Sequence, residues 1–566
     1  MGPSGAGKST ILDIISMRTM PTSGTVSLSG SGGADLKSLT SYVEQSDALL
    51  GVLTVEESLY FAARLSLDPA TPQNIVKARV HQTMKDLGLT EVAKNRIGTP
   101  IQRGVSGGQK RRVTIGTSLV TVPRILILDE PTSGLDSRTS KEVLSAIKNF
   151  AYAHGVIVIA SIHQPNWETF ALFDKLLLLA QGRQVYFGPI NRLATYLDVG
   201  LSRPVPFHAN PSDHALDAVN TDFMPNSAEA EAHVERLATT WKAYAIAHTS
   251  IHDVSNAPKN VLVERRTLKR AALVHSLRVL LSRTWYLMVR NWINYSRNLL
   301  AYGVRLGMYF GIGILLATIW TKLPADSSHL QERITVHFFA VAFLGFMSVA
   351  GIPAYLEERQ VFIRERSNGL YGAGPFVLAN TIVVLPYLFV CVLAVCLICY
   401  WSIGLHPGAG PFFRFTGILF LAVYTAEAQS ALVAALCPIF VAALAITSFI
   451  NGLWMCVGGY FVSANELPKF WYYWAHFIGF QTYSFDLLAY GDLKGLIFAC
   501  QMLADGSCFC NFPSSLTPEQ CAITGEDVLR SIGIDSINYT LYAFILFSIA
   551  VVYRFALYVV LALKKR

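Results

Sequence analysis

Residues 1–200 alternate short apolar runs with stretches of helical period, the pattern of an α/β domain. Two of the runs, Arg124–Leu128 and Gly155–Ile162, are rich in β-branched residues, are bounded by turn or motif residues, and predict buried strands. Residues 201–276 are polar: Pro204, Pro206 and Pro211 interrupt the early part, and a charged helical stretch covers Val261–Lys269. From Leu277 the run LRVLLSRTWYLMVRNWINYSR sets Arg278, Arg283, Arg290 and Arg297 among large apolar residues. It predicts an amphipathic helix over 277–298, either lying on the cytoplasmic membrane surface or packed as an ordinary buried helix. Six later stretches reach the roughly 20 residues that a helix needs to cross a bilayer. They are Leu300–Trp320, Ile334–Ile352, Pro375–Ile403, Phe412–Leu436, Ile439–Val462 and Tyr539–Leu563, and the segment 463–538 is too polar to be a seventh.

Composition places the break. Charged residues are 15% and apolar residues 52% of the 566, against about 25% charged in soluble domains. The deficit falls in residues 300–566, so a water-soluble part is fused to a membrane part. The net charge of +8 has the sign that basic residues flanking membrane helices produce. With no Lys/Arg run and no zinc-finger spacing, it does not call for a nucleic-acid partner.

The soluble part has no route across a membrane, so it is expected in the cytosol. No signal peptide opens the sequence, and the first crossing is expected to direct insertion. Six crossings return the C-terminus to the cytosol, where Lys564, Lys565 and Arg566 satisfy the positive-inside rule. The charged loop Glu357–Arg366 then falls inside and 463–538 outside. The sequon Asn538-Tyr539-Thr540 lies on the outer side, at the membrane edge. All nine cysteines lie between Cys391 and Cys521. Cys391, Cys396, Cys399, Cys437 and Cys456 sit in apolar stretches and are expected to pack, whereas Cys500, Cys508, Cys510 and Cys521 sit in the outer segment, where disulfides survive. Four cysteines pair in three ways. Cys508 and Cys510 are too close for an easy mutual bridge, so at least one bridge from Cys500 or Cys521 to that pair is expected, with a bond between protomers as an open alternative.

The chemistry is concentrated at the start. Gly2-Pro3-Ser4-Gly5-Ala6-Gly7-Lys8-Ser9-Thr10 fits the phosphate-binding loop G-x-x-x-x-G-K-S/T. Its glycines let backbone amides turn around phosphate oxygens, and a helix expected over Ser9–Met17 points its positive end at the same anion. Lys8 is expected on the β- and γ-phosphates and the Ser9 hydroxyl on magnesium. The strand Ile125–Leu128 delivers Asp129 and Glu130 at its C-terminal edge, where open α/β sheets bind ligands. Asp129 is suited to hold magnesium and Glu130 to polarise an attacking water.

Between them lies Val105-Ser106-Gly107-Gly108-Gln109, followed by Lys110-Arg111-Arg112. In this order the run resembles the signature sequence of ATP-binding-cassette proteins, with Val105 where Leu is usual. The resemblance identifies Gln45, in Tyr42-Val43-Glu44-Gln45-Ser46, with the Q-loop glutamine that senses magnesium and touches the membrane domain. Ser133-Gly134-Leu135-Asp136 resembles the D-loop, and His163 the switch histidine on the γ-phosphate. Asp129–Ser137 (DEPTSGLDS), Ile162-His163-Gln164-Pro165, Tyr186-Phe187-Gly188, Asn210-Pro211-Ser212-Asp213 and Glu358-Arg359-Gln360-Val361-Phe362 resemble subfamily G half-transporters. That group holds the White-type pigment transporters and the breast-cancer-resistance drug exporter.

The resemblance covers essentially the whole chain. It implies an α/β P-loop nucleotide-binding domain (1–200), a cytosolic connector (201–276), the interfacial helix and an all-α six-helix transmembrane domain (299–566). It also implies a strand feeding the P-loop and an adenine-stacking aromatic ahead of Gly2. The sequence starts at Met1 and reads as truncated there.

By the same resemblance, ATP and Mg2+ are held between the P-loop of one copy and Ser106–Gln109 of another. One chain with one P-loop and one signature therefore requires a second half-transporter, as a homodimer or a heterodimer. The implied activity is ATP-driven export of a lipid, sterol or hydrophobic small molecule, at the plasma membrane. A non-catalytic or regulatory subunit is the alternative, and an importer ranks below both because importers usually keep the cassette on a separate chain. The charged stretch Glu357–Asn368 is implied to be a coupling helix seated near Gln45. The family's cavity is lined by the second and fifth crossings, here Phe339, Phe343 and Phe346 with Asn451, Trp454 and Val457. Glu427 and Gln429, inside the fourth crossing, are expected to form a structural polar relay.

Overall fold

The computed structural model describes residues 1–26, 36–99, 102–221, 224, 226–248, 277–298, 302–502, 508–516, 520–534 and 537–564. Residues 249–276 of the connector, Val261–Lys269 among them, and Leu300, Lys565 and Arg566 lie outside the described residues. The chain divides into two compact units, one of Met1–Tyr286 with Arg364–Tyr371, the other of Leu287–Ile363 with Gly372–Arg566.

In the first unit, helix α1 (Lys8–Ile15) follows the opening loop. It ends two residues before the expected Met17, because Met17 adopts a left-handed φ of 57° that no helix continues. Strands β1 (Thr40–Val43), β2 (Ile125–Leu128) and β3 (Ile157–Ala160) form a parallel sheet in the order β1-β2-β3. Tyr42 stands opposite Ile127, and Ile127 opposite Ile159. Alternate side chains of β2 enter opposite layers. Leu126 and Leu128 join Val43, Leu59, Val113, Val143 and Ile147, while Ile125 and Ile127 join Leu12 and Tyr42. Every residue of β1 and β2 is buried. The expected buried strand Gly155–Ile162 is shorter and only partly buried: among the described residues β3 pairs with β2 alone, which makes it an edge there, and Ile157 is 52% exposed. Helix α2 (Gly107–Leu119) carries the signature residues and α3 (Ser137–His154) follows the D-loop.

Helix α4 (Leu277–Arg297) buries two of its four arginines, Arg283 and Arg290. Arg283, Leu287, Arg290 and Asn294 share the buried face, whereas Leu281, Trp285 and Trp292 are exposed. This inverted amphipathicity suits a helix whose outer side meets lipid.

The second unit is helical. Its long elements are α5 (Val304–Ile319), α6 (Leu330–Phe346), α7 (Ile352–Ser367), α8 (Ala373–Ile403), α9 (Ala409–Leu436), α10 (Phe440–Val457), α11 (Phe480–Leu493) and α12 (Tyr539–Leu563). Among the described residues five helical stretches are long and apolar enough to cross a membrane: Ser327–Ser367, α8, α9, α10 and α12. Helix α5 is apolar but only 16 residues long. Most of α9 is buried, and its Leu419, Ala422, Val423 and Ala426 pack with Tyr309, Leu388, Val392, Leu546 and Ala550.

Two expectations need correction. The charged stretch Glu357–Arg366 is not a loop but lies within α7. Its Glu358, Arg359, Arg364 and Glu365 are buried, and Glu358 accepts from Asn294 Nδ2 (2.9 Å) and Tyr295 OH (3.2 Å). The segment 463–538 is a folded part of the unit: Phe485, Leu493, Phe498, Ile523, Val528 and Leu529 form a core with Ile334 and Phe338. Helix α11 escaped recognition because it buries polar groups, among them Gln481, Thr482, Ser484 and Asp492. Cys391, Cys396 and Cys399 are buried, but Cys456 is exposed, on a face of α10 that neighbouring helices leave uncovered.

Candidate functional site

The opening loop is shaped by backbone angles. Gly5 and Gly7 hold φ at 75° and 92°, a region that disfavours side chains, and the space a side chain would fill at Gly5 is open. Ala6 is buried and anchors the loop by donating to the Pro3 carbonyl (3.2 Å) and accepting from the Gly182 amide (3.1 Å). Gly2 is buried, Ser4 and Gly5 form the exposed tip, and Ser9 and Thr10 are exposed in the first turn of α1. The Lys8 ammonium turns back on the loop, donating to the carbonyls of Gly2 (2.8 Å) and Pro3 (2.9 Å). It is thereby poised over the cradle that the amides outline.

At the end of β2 the carboxylates gather partners from three segments. Ser9 Oγ donates to Asp129 Oδ1 (3.3 Å), Ser161 Oγ to the same atom (2.6 Å), and Tyr42 OH to Asp129 Oδ2 (3.2 Å). Burial, and then the neighbouring Asp129 charge, push the Tyr42 phenol well above its usual range, so it stays protonated as a donor. Gln45 Nε2 donates to Glu130 Oε2 (2.7 Å). A hydroxyl and a carboxylate converging beside a phosphate cradle form an oxygen donor set suited to a hard cation such as Mg2+. Ser9, Asp129 and Gln45, singled out for the metal, thus lie together with Glu130.

Glu130 has a left-handed φ of 43°. A non-glycine residue holds such a conformation only where its surroundings fix it. Here Ser161 Oγ accepts the Glu130 amide at 2.8 Å. Glu130 and His163 line one cavity of about 310 Å³ together with Ser133, Gly134 and Gln164. Asp136 caps α3, accepting from the Thr139 amide (2.9 Å) and hydroxyl (2.7 Å). Those bonds, the amide's first, hold its carboxyl below the usual range.

The signature residues stand apart from this group. Ser106 and Gln109 cap α2 reciprocally: the Gln109 amide donates to Ser106 Oγ (3.3 Å) and the Ser106 amide to Gln109 Oε1 (2.9 Å). A side chain at Gly108 would meet Thr139 Cγ2 at 2.2 Å, so glycine lets α2 lie against α3. Among the described residues Ser106–Gln109 do not line the cavity at Glu130. They open a second helix N-terminus, apart from that cavity.

The stretch Arg364–Tyr371 belongs to the first unit. Asn368 clasps Tyr42, accepting its amide at Oδ1 (3.1 Å) and donating Nδ2 to its carbonyl (2.9 Å). Sequence reasoning placed this segment near Gln45 but missed Asn368, Tyr42 and Ser161 as contact residues.

The residues expected along a transport path divide. Phe339 and Phe343 stack at 5.1 Å between ring centres, and with Phe346 they are half-buried. Asn451, Trp454 and Val457 are buried inside their own unit. Gln429 holds two of them, donating to Asn451 Oδ1 (3.0 Å) and accepting from Trp454 Nε1 (2.7 Å). Glu427 forms a buried ion pair with Arg305. The outer cysteines pair as Cys500–Cys510 and Cys508–Cys521, which leaves none of the four for a bond between protomers.

A P-loop, two strand-end acids and a signature helix, joined to apolar helices of membrane length, define an ATPase built into a membrane transporter. Comparison with known proteins gives the family. Residues 1–133 match the model for "ABC transporter", and residues 163–285 and 282–493 match two models for "ABC-2 type transporter". The chain is 35% identical over 510 residues to "ABC transporter G family member 1" of Petunia hybrida, covering 88% of this chain and 78% of that relative. It is 36% identical over 521 residues to "ABC transporter G family member 11" of Arabidopsis thaliana, covering 88% and 74%. It is 30% identical over 566 residues to "ABC transporter G family member 4" of Arabidopsis thaliana, covering 99% and 90%. The chain belongs to the ABC transporter G family: it is an integral-membrane half-transporter whose ATPase is coupled to transport.

Proposed function

We propose that two cassettes close on ATP, one supplying Gly2–Thr10, Gln45, Asp129, Glu130 and His163, the other Ser106–Gln109 and Asp136, to export a lipid, sterol or other hydrophobic small molecule. The observation that carries this reading is the convergence of Ser9, Asp129, Gln45 and Glu130, with Ser106–Gln109 outside the cavity that Glu130 lines. A phosphate entering the cradle would take the Lys8 ammonium from the Gly2 and Pro3 carbonyls. Ser9 and Asp129 would hold magnesium, which neutralises charge on the phosphates when bound. Glu130 would accept a hydrogen bond from the attacking water, and His163, across the shared cavity, would reach the γ-phosphate.

The stacked, half-buried Phe339 and Phe343 support flat apolar cargo. The second half-transporter is another copy or a related chain, and the membrane is the plasma membrane. The test is ATP-driven movement of a fluorescent sterol or phospholipid analogue out of the cytosolic leaflet of reconstituted vesicles. The expected result is vanadate-sensitive outward transfer that Glu130→Gln abolishes. Inward transfer would overturn export. Binding of ATP with neither hydrolysis nor transfer would favour a non-catalytic subunit.

A further inference from the structure

The basic run after the signature, Lys110-Arg111-Arg112, has no role in the proposed hydrolysis so far. Arg111 is 3% exposed, and its guanidinium is surrounded by main chain from two distant segments. Nη1 donates to the carbonyls of Glu44 (2.8 Å) and Gln45 (3.0 Å) and to Asp47 Oδ1 (3.0 Å). Nη2 donates to the carbonyls of Asp129 (3.0 Å) and Glu130 (3.3 Å), and Nε to that of Pro131 (3.1 Å). Arg112, the next residue, reaches only the Leu87 carbonyl (3.1 Å) by the bonds it donates.

We propose that Arg111 is a positioning residue for hydrolysis: one guanidinium fixes the segment bearing Gln45 against the segment bearing Glu130. The inference rests on the proposed role of Glu130. Two side chains that meet at 2.7 Å, Gln45 Nε2 and Glu130 Oε2, keep that relation only if their main chains keep theirs. Glu130 most needs the support, since its φ of 43° is not a conformation the residue holds unaided. Ser161 takes its amide and Arg111 its carbonyl, so the peptide groups on both sides of the residue are tied. The planar fork matters as well as the charge. Its five donors spread over carbonyls on both segments, which the three donors of a lysine, radiating from one nitrogen, cannot span. Arg111 also lies one turn into α2, the helix that Ser106 opens, so the strut joins the signature helix to the hydrolytic side of the chain's own site. It makes no bond to Gly2–Thr10, where phosphate is held, so it bears on hydrolysis and not on nucleotide capture.

The test uses the full chain in lipid nanodiscs, comparing wild type, Arg111→Lys, Asp47→Asn and Arg112→Lys. The readouts are affinity for trinitrophenyl-ATP, thermal midpoint, and the kcat and KM of ATP hydrolysis. Misplacement of a catalytic group by about 1 Å costs about 100-fold in rate. Arg111→Lys is therefore expected to lower kcat about 100-fold with nucleotide affinity and midpoint unchanged. Asp47→Asn, which loosens the guanidinium without removing it, gives a smaller fall, and Arg112→Lys gives none. In a Glu130→Gln background Arg111→Lys adds nothing further. A wild-type kcat in Arg111→Lys overturns the proposal, as does a loss of kcat in step with affinity or midpoint. If Arg111→Lys does not fold, a wild-type kcat in Asp47→Asn overturns it. A wild-type protein that binds trinitrophenyl-ATP but does not hydrolyse ATP would instead overturn the role of Glu130, a distinct failure.

Discussion

The hydroxyl of Ser161 touches both acids at the end of β2, donating to Asp129 and accepting the Glu130 amide. Ser161→Ala removes both bonds and leaves the acids in place. Loss of such an outer contact costs about 10–100-fold in metal affinity or activity. A magnesium titration of ATPase activity is therefore expected to shift to higher concentration by that order, and an unchanged titration would contradict the role. In the membrane helices, Glu427 and Arg305 neutralise one another where neither is solvated. Glu427→Gln keeps the shape but leaves the Arg305 charge buried and uncompensated, which costs about 3–5 kcal/mol. The purified protein should unfold at a clearly lower temperature, and an unchanged midpoint would exclude a structural role for the pair.

At the scale of elements, the clasp between Asn368 and Tyr42 connects the turn after α7 to an edge strand of the sheet, and Tyr42 itself reaches Asp129. In Asn368→Ala the Tyr42 amide loses its acceptor, so hydrogen exchange at that amide should accelerate while the amides of β2 keep their protection. Equal exchange at Tyr42 would count against the clasp. In α11, Asp492 accepts from Arg333 Nε (2.7 Å), His337 Nε2 (3.0 Å) and the His406 amide (2.7 Å). Burial alone would raise its carboxyl, but the bond and charge of His337 and then the charge of Arg333 hold it well below the usual range. A carboxylate depressed in the folded state contributes stability that is fully present above its unfolded value, about 3.9, and is lost as pH falls through the folded value. Unfolding midpoints should therefore fall on acidification below about pH 4 in wild type and less steeply in Asp492→Asn; parallel profiles would contradict this.

These elements also mark how far the sequence could be read. The P-loop, the acids and the signature were legible because each needs fixed residue types at the end of a strand or helix. Arg111, Ser161 and Asn368 were not, because they bind main chain from segments far away in sequence, which leaves no period or motif. The burial of Glu358 and Arg364 was not legible either, since their partners come from other segments. Asn451 and Trp454 share one helical spacing whether they face cargo, lipid or core, and their bonds to Gln429, 22 and 25 residues away, leave no trace in that spacing.

Over the whole molecule, a cassette with one P-loop and one signature helix is joined to helices of membrane length, and transport follows only if the cassette hydrolyses ATP. The pairing of all four outer cysteines within the chain means that assembly of two copies does not depend on those disulfides. A dimer held at the membrane should migrate alike in native gels with and without reductant, and dissociation on reduction would reveal a covalent link elsewhere. The central claim is that Glu130 drives hydrolysis in a site built from Ser9, Asp129 and Gln45. The measurement that tests it most directly is vanadate-sensitive ATPase activity of the purified protein in lipid, beside Glu130→Gln. The account predicts activity in wild type and its loss in Glu130→Gln with ATP binding retained; wild-type activity in Glu130→Gln would contradict it.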